Sequence, residues 1–377
     1  MDTPPADTLT VGLVYVKPLE MVAIGVMMDV RYASIPVAHG DFNDYILGRI
    51  GDHNVVMVGP ARGDQGTVAT AQFAATIHLT FPNIKIGLLV GIGGGIPRDP
   101  KPDVRLGDVV VGAPETGPAV VQYDLGKRTA TRFEVTRSVA QLPSLIRKVV
   151  NKVEASERWQ VQKQGILESH LERLSKTPWL RSHGLKPLAP DRLFQSTFLH
   201  EPGTDCATHD VQFERIRAPR EPDHIAIHYS TILSGNTPMN SSEDRDRLAQ
   251  AYSGALCFGM EAAGLMDVFP CLVIRGISDY SDSHKNDSWQ NYAAATAASY
   301  ARELLLNLPK QTIPRAPQAL PLVKANENDS LVDQMNARYN TIFSGTGNNS
   351  GLQLGYNTGT MTNNFGGGIR EGKRERS

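Results

Sequence analysis

Apolar residues in this chain gather in short blocks, separated by longer stretches in which they recur every three or four positions. Short blocks bounded by Gly and polar residues read as buried strands, and the longer periodic stretches as helices. TVGLVYVKPLEMVAIGVMMD opens with an apolar strand (Val11 to Val16) and turns through Lys17 and Pro18 into a helix whose first turn carries Glu20. A proline there has its φ preset for the helix, and an acid in the first turn suits the dipole. DYILGRIGDHNVVMVGPAR reads as an antiparallel pair of strands, and GDQGTVATAQFAATIHLTFPN as a small-residue amphipathic helix starting after Gly66. KIGLLVGIGGGIP is a strand delivering a glycine run, and DVRLGDVVVG is a further strand. Later, HIAIHYSTILSG returns to sheet, VIRGISDY reads as a central strand of a parallel sheet, and WQNYAAATAASYARELLLNL as a closing amphipathic helix. Strand and helix alternate throughout, which predicts an α/β domain with a mostly parallel or mixed sheet.

Two stretches break this rhythm. From Lys127 to Arg220 the chain is rich in Arg and Lys, with Trp- and His-containing helical pieces and several prolines. It reads as an elaboration of one domain rather than a second core, with its basic residues mostly on solvated faces. The end of the chain differs again. Residues 1–8 read as a disordered leader, 9–308 as the domain, 309–340 as a linker and 341–377 as a low-complexity tail. TIFSGTGNNSGLQLGYNTGTMTNNFGGG is dominated by Gly, Asn and Thr with sparse, spaced apolar residues, too few to bury a core. Such a composition suits either a flexible tail or stacked in-register strands.

Composition narrows the function classes. The chain's 38 Lys and Arg balance 39 Asp and Glu, so no global field points to nucleic acid or membrane. The three cysteines, Cys206, Cys257 and Cys271, are widely spaced and suit a reducing compartment and small-hydrophobe roles. MDTPPADTLT has neither a basic nor an apolar signal region, and no window reaches membrane-span length, so the cytoplasm is the expected compartment.

The candidate chemistry lies at the ends of strands, where open α/β sheets bind ligands. GIGGGIP, Gly91 to Pro97, is not a dinucleotide fingerprint, because Ile96 stands where a third glycine is needed and Pro97 blocks the receiving helix. No GxxxxGK[ST], HExxH or paired CxxC occurs, so neither a P-loop nor a metal site is supported, and no cofactor is implied. Gly91, Gly93 and Gly94 offer either bare backbone beside a cleft or tight packing between neighbouring strands. Singly, Glu20 suits a helix start, Glu261 in GMEAAG suits a helix N-terminus, and Asp279 suits a cap. Together they mark three strand-to-helix junctions of one sheet, which favours a shared cleft.

The set GLVYVKPLE, VGIGGGIP, DVRLGDVVVG, HYSTILSGNTPM, GMEAAGL and VIRGISDYSDSHKN resembles the nucleoside phosphorylase superfamily. It looks most like the purine nucleoside and uridine phosphorylase-type domains at the N-termini of fungal NLR-like immune receptors. The resemblance covers residues 9–308 and implies a three-layer α/β/α fold around a mixed, partly barrel-like sheet. It further implies cleavage of the N-glycosidic bond between a nucleobase and ribose. That chemistry needs an acid on the leaving group, a polar clamp on the ribose and a nucleophile opposite. By resemblance, Asp279 acts on the purine at N7 and Ser278 steadies the same edge. Glu261 accepts hydrogen bonds from ribose hydroxyls, Met260 packs the sugar, and Pro238 and Met239 line the base pocket.

The nucleophile separates two branches. The phosphate-binding loop and glycine-run Ser of the phosphorylases have no counterpart, since VKPLE and Ile92 stand in their places. Glu20 matches the water-activating Glu of the branch resembling methylthioadenosine/adenosylhomocysteine nucleosidase, so hydrolysis is favoured over phosphorolysis. Related immune effectors imply ATP as a substrate, for which Lys17, Arg62 and Arg98 are candidate phosphate partners by position. The family tends to form homo-oligomers. NNSGLQLGYNTGTMTNNFGG resembles the pseudo-palindromic amyloid signalling motifs that couple NLR-like receptors to effectors. The rival to an enzyme is a catalytically silent nucleotide sensor using the same pocket.

Overall fold

The computed structural model describes residues 3–98, 101–128, 133–135, 142–159, 165–178, 186–201, 206, 211–220, 224–252 and 254–310. All of them lie in a compact unit, Met1–Pro314. The 341–377 tail and all but the start of the 309–340 linker fall outside the described residues, as do parts of the 127–220 stretch.

Strand β1 (Val11–Val14) is buried along its length and leads through Tyr15 to Lys17 into helix α1 (Pro18–Met27). Strands β2 (Val30–Arg31), β3 (Ile46–Ile50) and β4 (His53–Val58) follow, the last two paired antiparallel. Helix α2 (Gly66–Thr80) leads to β5 (Ile86–Gly95), then β6 (Val109–Val111) and β7 (Val120–Gln122). The elaboration contributes a two-stranded ladder, β8 (Gly126–Arg128) with β9 (Phe133–Val135), and helices α3 (Ser144–Trp159) and α4 (Glu168–Ser175). The chain closes with β10 (Ile227–Tyr229), β11 (Thr231–Ser234), α5 (Ser242–Ala251), β12 (Ala255–Gly259), α6 (Ala262–Val268), β13 (Cys271–Asp279) and α7 (Gln290–Asn307).

The main sheet, 11-stranded among the described residues, runs β10-β6-β13-β5-β1-β4-β3-β2, with a branch of β12, β11 and β7. The branch point is β5. Its first half pairs parallel with β1, its end pairs antiparallel with β12 at Gly94 and Gly95, and β13 follows it throughout. The branch turns the sheet back on itself at the C-terminal ends of β5 and β13, and gives the three-layer, mixed architecture with helices on both faces.

Three features depart from the pattern read along the chain. Strand β13 is parallel to β5 but antiparallel to β6, so VIRGISDY lies in a mixed rather than a parallel sheet. The closing helix is not amphipathic in use: residues from Gln290 to Leu305 are buried around most of its circumference. Its run of alanines lets the sheet backbone approach so closely that a methyl group on Gly276 would overlap the Ala293 carbonyl. Finally, three arginines of the elaboration are paired within the fold, although Arg147, Arg158, Lys148 and Lys152 lie on exposed faces as its basic composition suggests. Arg192 pairs with Glu214, Arg217 Nη2 lies 2.9 Å from Asp191 Oδ2, and both ends of Arg220 meet the buried Asp108. Ile146, Val149, Val150, Val153, Leu171 and Leu174 join the same hydrophobic cluster as β1 and β5.

Gly276→Ala is expected to force the sheet and α7 apart and lower stability by about 1–3 kcal/mol or more, measured as a drop in the urea midpoint at unchanged slope.

Candidate active site

The first βα junction sets the position of Glu20. Pro18 starts α1, which leaves the backbone N–H groups of Val16 and Lys17 pointing back from the helix entrance. Glu20 Oε2 accepts both at 2.8 Å, and Oε1 accepts the Ile92 N–H from the glycine run at 2.9 Å. The carboxylate therefore satisfies the helix start and also bridges to β5, so its two readings are one arrangement. It is only 2% exposed, and this burial raises its pKa, opposed by the charge of Arg275 and by the three N–H donors.

Arg275 is the residue that pattern reading missed. It lies in the middle of β13, flanked by apolar residues, and is only 2% exposed. Its Nη2 donates to Glu261 Oε2 at 3.0 Å and its Nη1 to the Ile92 carbonyl at 3.1 Å. Burial would pull its pKa down, but the Glu261 and Glu20 carboxylates hold it above the ordinary value. A charge inside a strand this apolar was itself a signal, because such a charge is retained only where a partner meets it.

Glu261 sits just ahead of α6, and its side chain turns from the helix to Arg275. The Ser234 hydroxyl instead accepts the Ala263 N–H at 3.1 Å at the helix start. The SGNTPM loop is braced from below. The Asn236 N–H donates to Asp124 Oδ2 at 2.7 Å, while Asn236 Oδ1 accepts the Thr67 N–H at 3.1 Å at the start of α2. Those contacts hold Thr237, Pro238 and Met239 against the cavity.

At the end of β13 a register shift between Ile277 and Asp279 re-aims the chain. Asp279 Oδ2 accepts the Ser278 hydroxyl at 2.8 Å, and Oδ1 accepts the Ser281 N–H at 3.0 Å. Lys285 Nζ lies 3.4 Å from Oδ2.

These groups share one cavity. Glu20, Glu261, Arg275, Ser278 and Asp279 line it with Lys17, Gly93, Gly94, Pro238, Met239 and Met260. Gly91 lies directly beneath it, where a side chain would strike Glu20 Oε1 and the Arg275 guanidinium. A side chain at Gly94 would strike Ser281 and Asp279. The glycine run is thus both cleft wall and close packing, and it runs inside β5 rather than beyond it.

Two arginines proposed from position do not reach the cavity. Arg98 Nη2 donates to the carbonyls of Ala249, Tyr252 and Ala255, closing the C-terminal end of α5. Arg62 is exposed on the loop before α2. Phe258 and Lys285, not singled out from the sequence, line the cavity instead. Among the described residues no cluster of three or more His, Cys, Asp or Glu could hold a metal ion. The buried Cys257 and Cys271 thiols are pushed up to about 12 by burial, which leaves them inert as nucleophiles. No described helix is long and apolar enough to cross a membrane.

This is the nucleoside phosphorylase-like fold. A 5'-methylthioadenosine/S-adenosylhomocysteine nucleosidase from Neisseria meningitidis, solved with methylthio-immucillin-A, superposes with a TM-score of 0.51 at 16% identity, covering 79% of this chain and 99% of that one. In sequence, the chain is 34% identical over 311 residues to a nucleotide-binding leucine-rich repeat (NLR)-like protein of the fungus Hyaloscypha variabilis. That match takes in 81% of this chain but only 30% of the relative, so the chain spans less than a third of it. An ATP nucleosidase, Cap17, of Escherichia coli is 31% identical over 86 residues, 22% of this chain and 17% of that protein. Residues 335–363 match the family described as the SesB domain on fungal death-pathway protein.

Arg275→Met is expected to leave the Glu261 carboxylate buried without its partner and to cost about 3–5 kcal/mol of stability. Chemical denaturation reads this directly. A variant as stable as the parent would show that the guanidinium does not hold the site together.

Proposed function

We propose that this domain hydrolyses the N-glycosidic bond of a purine nucleoside or nucleotide. The observation that carries the reading is the convergence of Glu20, the Glu261–Arg275 pair and Asp279 on one cavity. Glu20, with its raised pKa, takes a proton from water whose oxygen bonds to C1′ of the sugar. The C1′–N9 electron pair leaves with the purine, and Asp279, oriented by Ser278 and the Ser281 N–H, delivers a proton at N7. Glu261, fixed by Arg275, accepts the ribose hydroxyls, and the oxocarbenium-like sugar forms between carboxylates that stabilise its charge.

The charge balance favours water over phosphate. A phosphate dianion entering opposite the base would meet Glu20 and Glu261, while the nearby guanidinium is already bonded to Glu261 and to the Ile92 carbonyl. A silent sensor would have no need to keep both a buried base and a leaving-group acid in one cavity.

We further propose ATP or a related adenine nucleotide as substrate, and a cytoplasmic, homo-oligomeric cell-death effector as the setting. The similarity to an ATP nucleosidase, to an NLR-like protein and to a death-pathway domain supports this. Lys17 is the cation best placed for the phosphates: it lines the cavity, with Nζ 3.2 Å from Gln290 Oε1. Residues 309–340 then act as a linker, and 341–377 as the segment that couples the enzyme to an NLR-like receptor.

Chromatography of ATP, adenosine and inosine incubated with the protein is expected to yield free base and an unphosphorylated C1′, with or without added phosphate. Sugar 1-phosphate formed only when phosphate is present would overturn hydrolysis. Asp279→Asn should lose about 10²–10⁴-fold in turnover; unchanged turnover removes Asp279 from the mechanism. Glu20 must be ionised to accept a proton, so its raised pKa places the acid limb of the kcat profile above the ordinary carboxylate range. The same shift acts oppositely on stability. Ionised Glu20 disfavours the fold, so its contribution improves as pH falls through the raised value towards the ordinary one.

A further inference from the structure

Asp279 lines two cavities. The one that holds Glu20 and Glu261 has a volume of about 90 Å³, and a second, of about 330 Å³, shares with it Ser278, Asp279 and Lys285. The second has an apolar side made by Leu106, Ala189, Pro190, Phe194 and Trp289, and a polar side that includes Arg192, His200, Asp282 and His284. Its aromatic wall is firm: Trp289 is buried, and the Phe194 ring stacks on His284 with centroids 4.2 Å apart. Ala189, Pro190 and Phe194 come from the arginine-rich elaboration, which thereby gains a place beside the site.

Resting on the glycosidase reading, the direction of this cavity follows from purine chemistry. The N7 atom, which Asp279 addresses, and the exocyclic N6 of adenine lie on the same edge of the base. A base with N7 at Asp279 therefore turns N6 towards the shared wall. Lys285 belongs to that wall, with Nζ 3.4 Å from the buried Asp279 carboxylate. Its own side chain is 34% exposed, against 4% for Asp279, so Lys285 is the partner with solvent to move into.

We propose that the second cavity receives a bulky apolar or aromatic substituent on N6, so that this domain accepts N6-substituted adenine nucleosides or nucleotides as well as the unsubstituted ones. Leu106, Phe194 and Trp289 supply the apolar contact, and Lys285 is the side chain displaced.

The test uses the full chain and a matched pair of substrates: whichever of adenosine, AMP or ATP is cleaved, and its N6-benzyl derivative. The N6-benzyl compound is expected to have a kcat/KM within about tenfold of its parent, the scale set by modest differences in an apolar pocket. Two variants narrow the second cavity outside the residues assigned to chemistry. Leu106→Trp does so from within, and Ser288→Phe from an exposed position on the rim. Either should lower kcat/KM for the N6-benzyl compound at least about tenfold further while sparing the parent. Wild-type protein that cleaves the parent but rejects the N6-benzyl compound overturns this inference alone. Equal acceptance of both compounds by Ser288→Phe and Leu106→Trp overturns the assignment of the cavity. If neither parent nor derivative is cleaved, the glycosidase reading fails and takes this inference with it.

Discussion

A guanidinium buried between two carboxylates is the constraint around which this domain is built. Arg275 would be costly in the middle of an apolar strand without a partner, and it is met by Glu261 at 3.0 Å and by the field of Glu20. Three charged side chains from α1, the junction before α6 and β13 must therefore meet in one place. The sheet makes room for them only because β5 carries glycine where they cross, and any side chain at Gly91 would strike two of the three. The glycine run is a packing requirement of the charges above it as much as a backbone feature.

The same economy governs the surrounding elements. Glu20 closes the entrance of α1, ties that entrance to β5 through the Ile92 N–H, and presents a raised-pKa carboxyl to the cavity. Asn236 links the SGNTPM loop to Asp124 and to the start of α2, and Ser234 meets the start of α6. Each motif is thus held by another that lies far away in sequence. The walls of the cavity are mutual supports, an arrangement that suits a site acting through fixed charges.

The elaboration shows how a basic composition can mislead. Two of its arginines tie that stretch to the sheet, Arg220 through the buried Asp108 and Arg217 through the Tyr280 hydroxyl, while others such as Arg147 and Arg158 stay exposed. Its helices α3 and α4 add to the same core as the strands. Its remaining described segment reaches the second cavity beside Asp279, so a stretch with no counterpart in the sequence motifs borders the chemistry.

Local patterning along the chain was enough to specify the alternating α/β order, the buried strands around Val11 and Val273, and three acids at strand-to-helix junctions. Those features are local: hydrophobic period, turn residues and helix-start chemistry act within a few residues, so they are legible without a fold. Arg275, Lys285 and Phe258 were not legible, because their partners are set by strand pairing. Nor was the commitment of Arg98 to carbonyls of α5, nor the burial of α7, which depends on Gly276 facing Ala293. Position in the chain placed Arg62 and Arg98 near the substrate; tertiary packing sent one to solvent and the other to a helix end. The sequence by itself determined which residues were able to do chemistry, and the tertiary structure decided which of them meet, because charge pairing and close backbone approach are settled between elements rather than within them.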